Sequence, residues 1–113
     1  MDVERWKSQL WKGAAELAVL ALLARRESYG LGLLEAARGW PGLGLSEGTI
    51  YPLLNRLQGE GKLAARWVED AGATHPRKYY GLTEQGRAFL QAMTSEWRTF
   101  QGSLNDLIEG SGT

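Results

Sequence analysis

One short segment, residues 46–60, carries the side chains whose types and spacing best suit recognition of another molecule. Its apolar residues recur at i, i+3, i+4 and i+7, which predicts one buried stripe of a helix capped by Ser46; they are Ile50, Leu53, Leu54 and Leu57. At 100° per residue, the opposite face carries small and hydrogen-bonding residues: Gly48, Tyr51, Pro52, Asn55, Arg56 and Gly59. That face is free to contact a partner, and its amide and guanidinium groups offer hydrogen bonds.

The groups that enzymes and metal sites use are few and scattered. The chain has no cysteine, which excludes disulfides, thiolate zinc sites and cysteine catalysis. His75, the one histidine, lies in a predicted turn without a second ligand, and Glu69 and Asp70 form no acid–base pair with a pocket behind them. The stretch GLGLSEG (42–48) lacks the strand and the Lys-Ser or Lys-Thr of a phosphate loop. We predict no catalytic residue, metal or cofactor, and an enzyme is the weakest function considered.

Length and composition indicate a single folded domain. The chain has 113 residues, 43% of them hydrophobic, which is enough for one core. Thirteen Lys and Arg balance thirteen Asp and Glu, so this is not a strongly basic nucleic-acid coat, although residues 55–80 are mildly basic. The longest apolar run, residues 14–24, contains Glu16 and is too short to cross a membrane. Without cysteines or an apparent targeting segment, we expect a cytoplasmic protein with no membrane partner.

Capping residues and apolar spacing divide the chain into a series of elements. Helices are predicted over residues 2–12 and 14–25, joined weakly at Gly13, and over residues 29–38 with Ser28 as the cap. Gly42 and Gly44 make a turn before the helix at 46–60, which Gly61 ends. The patterns of residues 63–69 and 77–82 predict a hairpin around a turn at 70–76. Pro52 lies inside the 46–60 helix, past its first turn, where a proline ordinarily costs about 3 kcal/mol. A kink or a tight first turn is therefore expected at Pro52.

The last element is a long helix capped by Thr83. Its large apolar residues step by four, four, three, four and three, a seam that usually packs against another helix; they are Phe89, Met93, Trp97, Phe100, Leu104 and Leu107. Gly102 is expected to weaken the middle of this helix, and residues 110–113 are expected to fray.

After the short leading helix at 2–12, three core helices, a hairpin and a long helix predict a winged helix-turn-helix fold, mainly α with a small β-hairpin. The helix at 46–60 suits the major groove of DNA, about 12 Å wide, with Gly48 allowing close approach and Asn55 and Arg56 reaching base edges or phosphates. Arg77 and Lys78 of the hairpin would lie along phosphates. The plain alternatives are an ordinary solvated helix face and, for the hairpin pair, charges that protect an edge strand.

Two longer motifs carry a resemblance to a known family. The run LSEGTIYPLLNRLQGEGKL (45–63), followed by PRKYYGLTEQGRAFL (76–90), resembles the PadR family of bacterial transcriptional regulators. The opening WKGAAELAVLALL and the pair Tyr29–Gly30 are similar to the family's first two core helices, so the resemblance runs from about residue 11 to residue 90. The family also carries proline in its recognition helix, at the position of Pro52.

The resemblance implies roles for individual residues. It places the recognition helix at Ser46, Glu47, Gly48, Thr49, Tyr51, Pro52, Asn55 and Arg56. It places Arg77 and Lys78 on the wing strand that meets the DNA backbone, and Tyr29 near phosphate at the start of the preceding helix. The chain departs from basic-winged relatives in its short, alanine-rich wing tip, which implies a weaker interaction there.

The resemblance also implies a homodimer whose final helix crosses to the partner subunit. Residues 1–82 would then be the DNA-binding region, 83–109 the dimerisation helix and 110–113 a frayed tail. The implied dimer interface comprises Trp6, Leu10, Phe89, Met93, Trp97, Phe100, Leu104, Leu107 and Ile108. Trp97, with Met93 beside it, is the candidate for binding a flat aromatic or hydrophobic effector, although packing in the dimer core is the simpler interpretation.

Two functions of different kinds follow from these observations. The first is a homodimeric, ligand-responsive transcriptional regulator, a repressor in the simplest case, that binds double-stranded DNA at a near-palindromic operator. The second is a winged-helix module that binds other proteins and not DNA, which the neutral net charge permits. The dependence of DNA binding on salt separates the two, because phosphate contacts make affinity fall steeply as salt rises.

Overall fold

In the computed structural model, which describes residues 2–69, 72 and 74–110, helices and one hairpin follow each other along the chain. In these described ranges the elements are α1 (Val3–Arg25), α2 (Gly30–Ala37), α3 (Glu47–Gly59), β1 (Leu63–Val68), β2 (Arg77–Leu82) and α4 (Glu84–Glu109). The predicted fold, mainly helical with a small antiparallel hairpin, is therefore confirmed.

The first helix is longer than the sequence predicts. The sequence indicates two helices joined at Gly13, but α1 runs through Gly13 without a break. A glycine inside a helix costs only about 1 kcal/mol relative to alanine, which is too little to end a helix whose second half is anchored in the core. The buried residues of α1 lie in its second half: Ala15, Val19, Leu20, Leu22 and Leu23. At the other end, the Asp2 carboxylate caps the helix by accepting a hydrogen bond from the Arg5 N–H at 3.0 Å.

The start of α2 also differs from the prediction. The sequence favours Ser28 as the cap of this helix, but Tyr29 occupies the N-cap position and α2 begins at Gly30. The backbone of Ser28 instead pairs with Tyr80 of β2, with N–H to carbonyl distances of 3.1 and 2.8 Å. This pairing holds Ser28 in an extended conformation, so its hydroxyl donates to the Tyr29 carbonyl at 3.3 Å rather than capping the helix.

The third helix begins with a tight turn, as the position of Pro52 predicts. The carbonyl of Ser46 accepts from both the Thr49 and the Ile50 N–H groups, at 3.1 and 2.8 Å. Proline has no N–H for the carbonyl of Gly48, but both residues are exposed, so water can satisfy that carbonyl. Ser46 is the N-cap, yet its hydroxyl pairs with the Thr49 hydroxyl at 3.2 Å and makes no capping bond.

The hairpin has one face toward the core and one toward the outside. Its strands are antiparallel, with the register running from Leu63 opposite Leu82 to Val68 opposite Arg77. Because side chains alternate along a strand, Leu63 and Tyr80 point inward and are buried. The predicted turn at 70–76 lies partly outside the described residues, at positions 70, 71 and 73.

The core lies where α1, α2 and α3 meet. The most completely buried side chains come from these three helices: Val19, Leu20, Leu33, Ile50, Leu54 and Leu57. The predicted apolar stripe of α3 is buried in full, since Leu53 is also only 8% exposed. This packing fixes the direction in which the opposite, polar face of α3 points.

The last helix is joined to the end of α3 and then leaves the core. The Thr83 hydroxyl accepts from the Gly86 N–H at 2.9 Å and donates to the Gly61 carbonyl at 2.6 Å, so the predicted cap is confirmed. Gly61 ends α3 with a φ of 80°. The radius of gyration is 16.2 Å, against about 13 Å for a compact chain of this length. From position 95 onward every described residue of α4 is exposed. The sequence predicts fraying of residues 110–113, but Gly110 is the C-cap of α4, with a φ of 73° and its N–H bonded to the carbonyls of Asp106 and Leu107. Residues 111–113 lie outside the described residues.

Candidate nucleic-acid interface

The polar face of α3 is uncovered along its whole length. Its six residues are all exposed: Gly48, Tyr51, Pro52, Asn55, Arg56 and Gly59. The hairpin packs beside this helix rather than over this face. The expectation that the face is free for a partner therefore holds in the structure, and contact with DNA stays a prediction.

Arg56, at one edge of this face, is held by two carboxylates. Its Nη2 lies 2.6 Å from the Glu16 Oε1 of α1, and its Nη1 lies 3.2 Å from an oxygen of Glu60. Hydrogen bonds from these carboxylates, that of Glu16 first, raise the pKa of Arg56 above its ordinary value. The guanidinium thus braces α3 against α1. The sequence gives no sign of the pair between Arg56 and Glu16, because 40 positions separate these residues. Helical spacing identifies only neighbours on the same helix.

Tyr51, at the other edge, packs against the start of α2. Its ring lies over Gly30, where an added Cβ would come within 2.7 Å of the ring Cζ and 2.8 Å of the hydroxyl oxygen. Partial burial, then the nearby charge of Glu47, raises the pKa of the Tyr51 phenol. The pair Tyr29–Gly30 singled out in the sequence is explained here, since only glycine leaves room for the ring.

Tyr51 and Arg56, each held by a neighbouring helix, leave a narrow strip of α3 between them. At 100° per residue, Tyr51 and Arg56 flank the centre line of the exposed face, and the residues along that line are Gly48, Pro52, Asn55 and Gly59. Only Asn55 among these carries a hydrogen-bonding side chain. The strip has the shape of a surface that can approach another backbone closely, with one amide at its middle.

Ser46 and Thr49 lie to one side of this strip. They line an open cavity of about 750 Å³ between α1 and the start of α3, together with Trp11, Lys12 and Arg56. Their hydroxyls bond to each other, and Ser46 is exposed while Thr49 is half-buried. Both positions therefore border the exposed face of α3 without standing on its centre line.

The two basic residues of the wing point to opposite faces of it. Arg77 lies with its guanidinium 4.4 Å from the ring centre of Tyr29, and Tyr29 packs against Tyr79 at 5.2 Å. Lys78 faces the other side, 5.9 Å from the ring of Trp67 and 5.5 Å from that of Tyr80. The sequence grouped Arg77 with Lys78, but strand alternation separates them, so the two side chains reach different surroundings.

An apolar groove of about 580 Å³ lies between α1 and α4. Its lining includes Leu10, Leu17, Phe89, Met93, Trp97 and Phe100. The rings of Trp97 and Phe100 lie 6.0 Å apart. The resemblance places Met93 in the dimer interface, but within one chain it is already half-buried, because it packs with Phe89 against the chain's own core.

The remaining residues of the predicted interface are open to solvent. Trp97 and Leu104 are a little over one-third exposed, and the others more so: Trp6, Leu10, Phe100, Leu107 and Ile108. None of the described helices is long and apolar enough to cross a membrane. Within the described ranges, no three His, Asp or Glu side chains gather into a group that could hold a metal ion.

An exposed third helix on a three-helix core, with a hairpin and a long helix after it, defines a winged helix-turn-helix protein. Residues 19–92 match the transcriptional regulator PadR-like family, and the chain belongs to that family. It is accordingly a DNA-binding regulator of transcription and not an enzyme.

Solved structures of similar proteins agree with this assignment. A PadR family transcriptional regulator from Eggerthella lenta is 32% identical, with a TM-score of 0.80 over 95% of this chain and 92% of the other. A PadR-like regulator from Bacillus cereus is 30% identical, with a TM-score of 0.78 over 88% and 96%. A PadR-like transcription factor from Bacteroides fragilis is 34% identical, with a TM-score of 0.73 over 92% and 99%.

The packing of Tyr51 on Gly30 predicts a stability effect that depends on both residues. Gly30→Ala should lower the free energy of unfolding by about 1 to 3 kcal/mol, because the new methyl group overlaps the ring. In a Tyr51→Ala background the same change should cost almost nothing. Urea unfolding at one fixed protein concentration measures both.

Gly48→Ala is the matched control for this cycle. A Cβ at Gly48 has its nearest neighbour, the Ser46 Oγ, at 4.0 Å, so that variant should be as stable as the parent or slightly more so. An equal cost of Gly30→Ala with and without the Tyr51 ring would show that the ring does not set the spacing of α2 and α3.

Proposed function

We propose that the protein is a homodimeric, ligand-responsive repressor that reads a near-palindromic operator through the exposed strip of α3. The observation that carries this proposal is the strip itself: two glycines, a proline and one amide, uncovered and framed by Tyr51 and Arg56. Small side chains let a helix backbone approach the floor of the major groove, and an asparagine amide can form two hydrogen bonds with adenine.

The other predicted DNA-binding residues have a supporting role in this proposal. In the proposed complex they meet the phosphate backbone, which positions the helix without specifying the base sequence. They comprise Tyr29, Ser46, Thr49, Tyr51, Arg56, Arg77 and Lys78. Arg56 would contact DNA from the edge of α3, with its guanidinium already oriented by Glu16.

The exposed apolar residues of α4 support dimerisation. Phe100, Leu107 and Ile108 are each more than half exposed, on a helix that projects from the body of the chain. A row of large apolar side chains at this spacing is stabilised by a second helix, and a second copy offers one with twofold symmetry. Two recognition helices related in this way match half-sites about 34 Å apart, which is why a near-palindromic operator is proposed.

The size and lining of the groove between α1 and α4 are the evidence for the proposed effector site. It places Trp97 beside Phe100 and Met93 in a space of about 580 Å³, within the size range of small-molecule sites. A flat aromatic compound stacked on Trp97 would alter how α4 sits on α1 and thereby the spacing of the two recognition helices. A coupling of about 1 to 3 kcal/mol between the two sites is enough to release DNA.

Base recognition by Asn55 is tested with one substitution. Asn55→Ala should weaken binding to a duplex that the parent protein has selected from a random library, by about 5- to 150-fold, because alanine cannot form the bidentate hydrogen bonds to a base. Asn105→Ala, at an exposed position of α4, is the control and should bind as the parent does. If both variants keep the parent's affinity and base preference, Asn55 does not read the operator. If the parent binds no duplex even at low salt, the protein-binding alternative is favoured.

Dimerisation through α4 is tested with a charge in the apolar row. Leu104→Glu should shift the sedimentation mass from about twice the 12.5 kDa of one chain to that of a monomer, because it would bury two carboxylates between the subunits. Ser95→Glu, exposed on the other side of α4, should remain dimeric. A Leu104→Glu protein that stays dimeric would place the subunit interface elsewhere.

Effector binding is tested with a fluorescent aromatic probe, 8-anilinonaphthalene-1-sulfonate. Trp97→Ala should weaken binding of the probe about tenfold, because the probe can no longer stack on the indole ring in the groove. Trp67→Ala removes an exposed tryptophan from the wing and should leave probe binding unchanged. Equal affinities in the two variants would exclude Trp97 as the ligand platform.

A further inference from the structure

An ion pair joins the wing to the connection between α1 and α2. The Arg66 Nη2 of β1 lies 2.8 Å from the Glu27 Oε1, and the two side chains are 61% and 50% exposed. The Glu27 side chain lies across Gly81 of β2, where an added Cβ would come within 3.0 Å of Oε2. The bare backbone at Gly81 therefore makes room for the carboxylate on the outer face of the wing.

Arg66 belongs to the same face of the wing as Arg77 and Tyr79. It pairs across the hairpin with Tyr79, and its guanidinium lies 5.9 Å from that ring. Tyr79 packs on Tyr29, and the Arg77 guanidinium also lies over the Tyr29 ring. Two guanidinium groups and two phenol rings thus form one cluster that links the wing to the start of α2.

We propose that Arg66 binds the DNA phosphate backbone and that Glu27 restrains it. This inference rests on the proposed function, in which the wing lies along the backbone beside the residue that precedes α2. In the free protein the carboxylate holds the guanidinium against the wing. In the complex a phosphate oxygen takes the place of the carboxylate, and the guanidinium turns outward to meet it.

The exposure of the pair makes this exchange possible. An ion pair between solvent-exposed side chains contributes little, because water screens both charges. A phosphate accepts two parallel hydrogen bonds from a guanidinium, as a carboxylate does, and it belongs to a polyanion whose bound counterions are released when a protein cation binds. The hydrogen bond with Arg66 is the first cause of the lowered pKa of Glu27, as expected for a carboxylate that pairs with a cation.

The protein has no net charge, and restraint of Arg66 further limits the binding to DNA that depends on charge alone. Binding to a duplex of unrelated sequence depends on phosphate contacts alone, whereas binding to an operator adds base contacts. A carboxylate that competes for a wing arginine weakens both kinds of complex by the same factor. The ratio of the two affinities is unchanged, but unrelated DNA, which lacks base contacts and binds more weakly, is released at protein concentrations that still occupy the operator.

The experiment measures how binding of the full chain to a duplex selected by the parent protein depends on salt. Arg66→Ala should make the plot of log affinity against log salt shallower by about 0.9 for each phosphate that the arginine neutralises in the parent. Arg66→Lys, which keeps the charge, should retain the parent's slope. Glu27→Gln should raise affinity about two- to fivefold, because phosphate no longer competes with the carboxylate.

The double variant identifies the route through which Glu27 acts. If Glu27 restrains Arg66, the gain from Glu27→Gln disappears when Arg66 is already alanine. A gain that persists there would show general repulsion between Glu27 and DNA and would overturn the proposal. A second result would also overturn the proposal: Arg66→Ala and Glu27→Gln both lower the melting temperature while the salt slope of each stays that of the parent. The ion pair would then only stabilise the packing of the wing.

Failure of this inference can be distinguished from failure of the proposed function. If the parent protein binds the duplex and Asn55→Ala weakens that binding, while the Arg66 and Glu27 variants match the parent in slope and affinity, only the role of Arg66 is wrong. If the parent shows no salt-dependent binding to any duplex, the proposed function fails first and this inference fails with it.

Discussion

The burial of one side of α3 determines what the rest of the molecule can do. Ile50, Leu54 and Leu57 are inaccessible to solvent in a core shared with α1 and α2. Burying a large aliphatic side chain contributes about 1.5 to 3 kcal/mol, so rotating α3 about its axis would forfeit several such terms at once. The helix therefore has a single stable orientation, and its polar side is presented to solvent as a fixed surface.

Two further interactions refine that orientation at the edges of the surface. Tyr51 lies against Gly30 on α2, and Arg56 is paired with Glu16 on α1. Helical spacing alone assigns both Tyr51 and Arg56 to the outward face of α3, but each packs partly against a neighbouring helix. The consequence is an exposed strip narrower than the sequence suggests, with Asn55 alone offering a hydrogen-bonding side chain at its centre. Preorganisation of this kind lowers the side-chain entropy that binding costs.

The sequence predicted well whatever depends on periodicity and local chemistry. The apolar stripe of α3, the Thr83 cap and the hairpin are properties of neighbouring residues, and all are present in the structure. It predicted poorly where distant segments decide the outcome. Pairing with β2 draws Ser28 away from its role as a cap. The pairs of Arg56 with Glu16 and of Arg66 with Glu27 join residues about 40 positions apart, beyond the range of any local pattern.

The two halves of α4 are subject to different constraints. Near its start, Phe89 and Met93 pack against the chain's own core, and Thr83 ties the helix to the end of α3. Further along, Phe100, Leu107 and Ile108 have no comparable cover within the described part of the chain. Trp97 lies at the boundary between these halves, at the rim of the groove between α1 and α4. A change in the packing around Trp97 therefore acts on the free half of α4 through a helix whose other end is fixed to α3. The Thr83 contact is one mechanical link between the groove and α3, and α1, which lines the groove and pairs with Arg56 through Glu16, is a second.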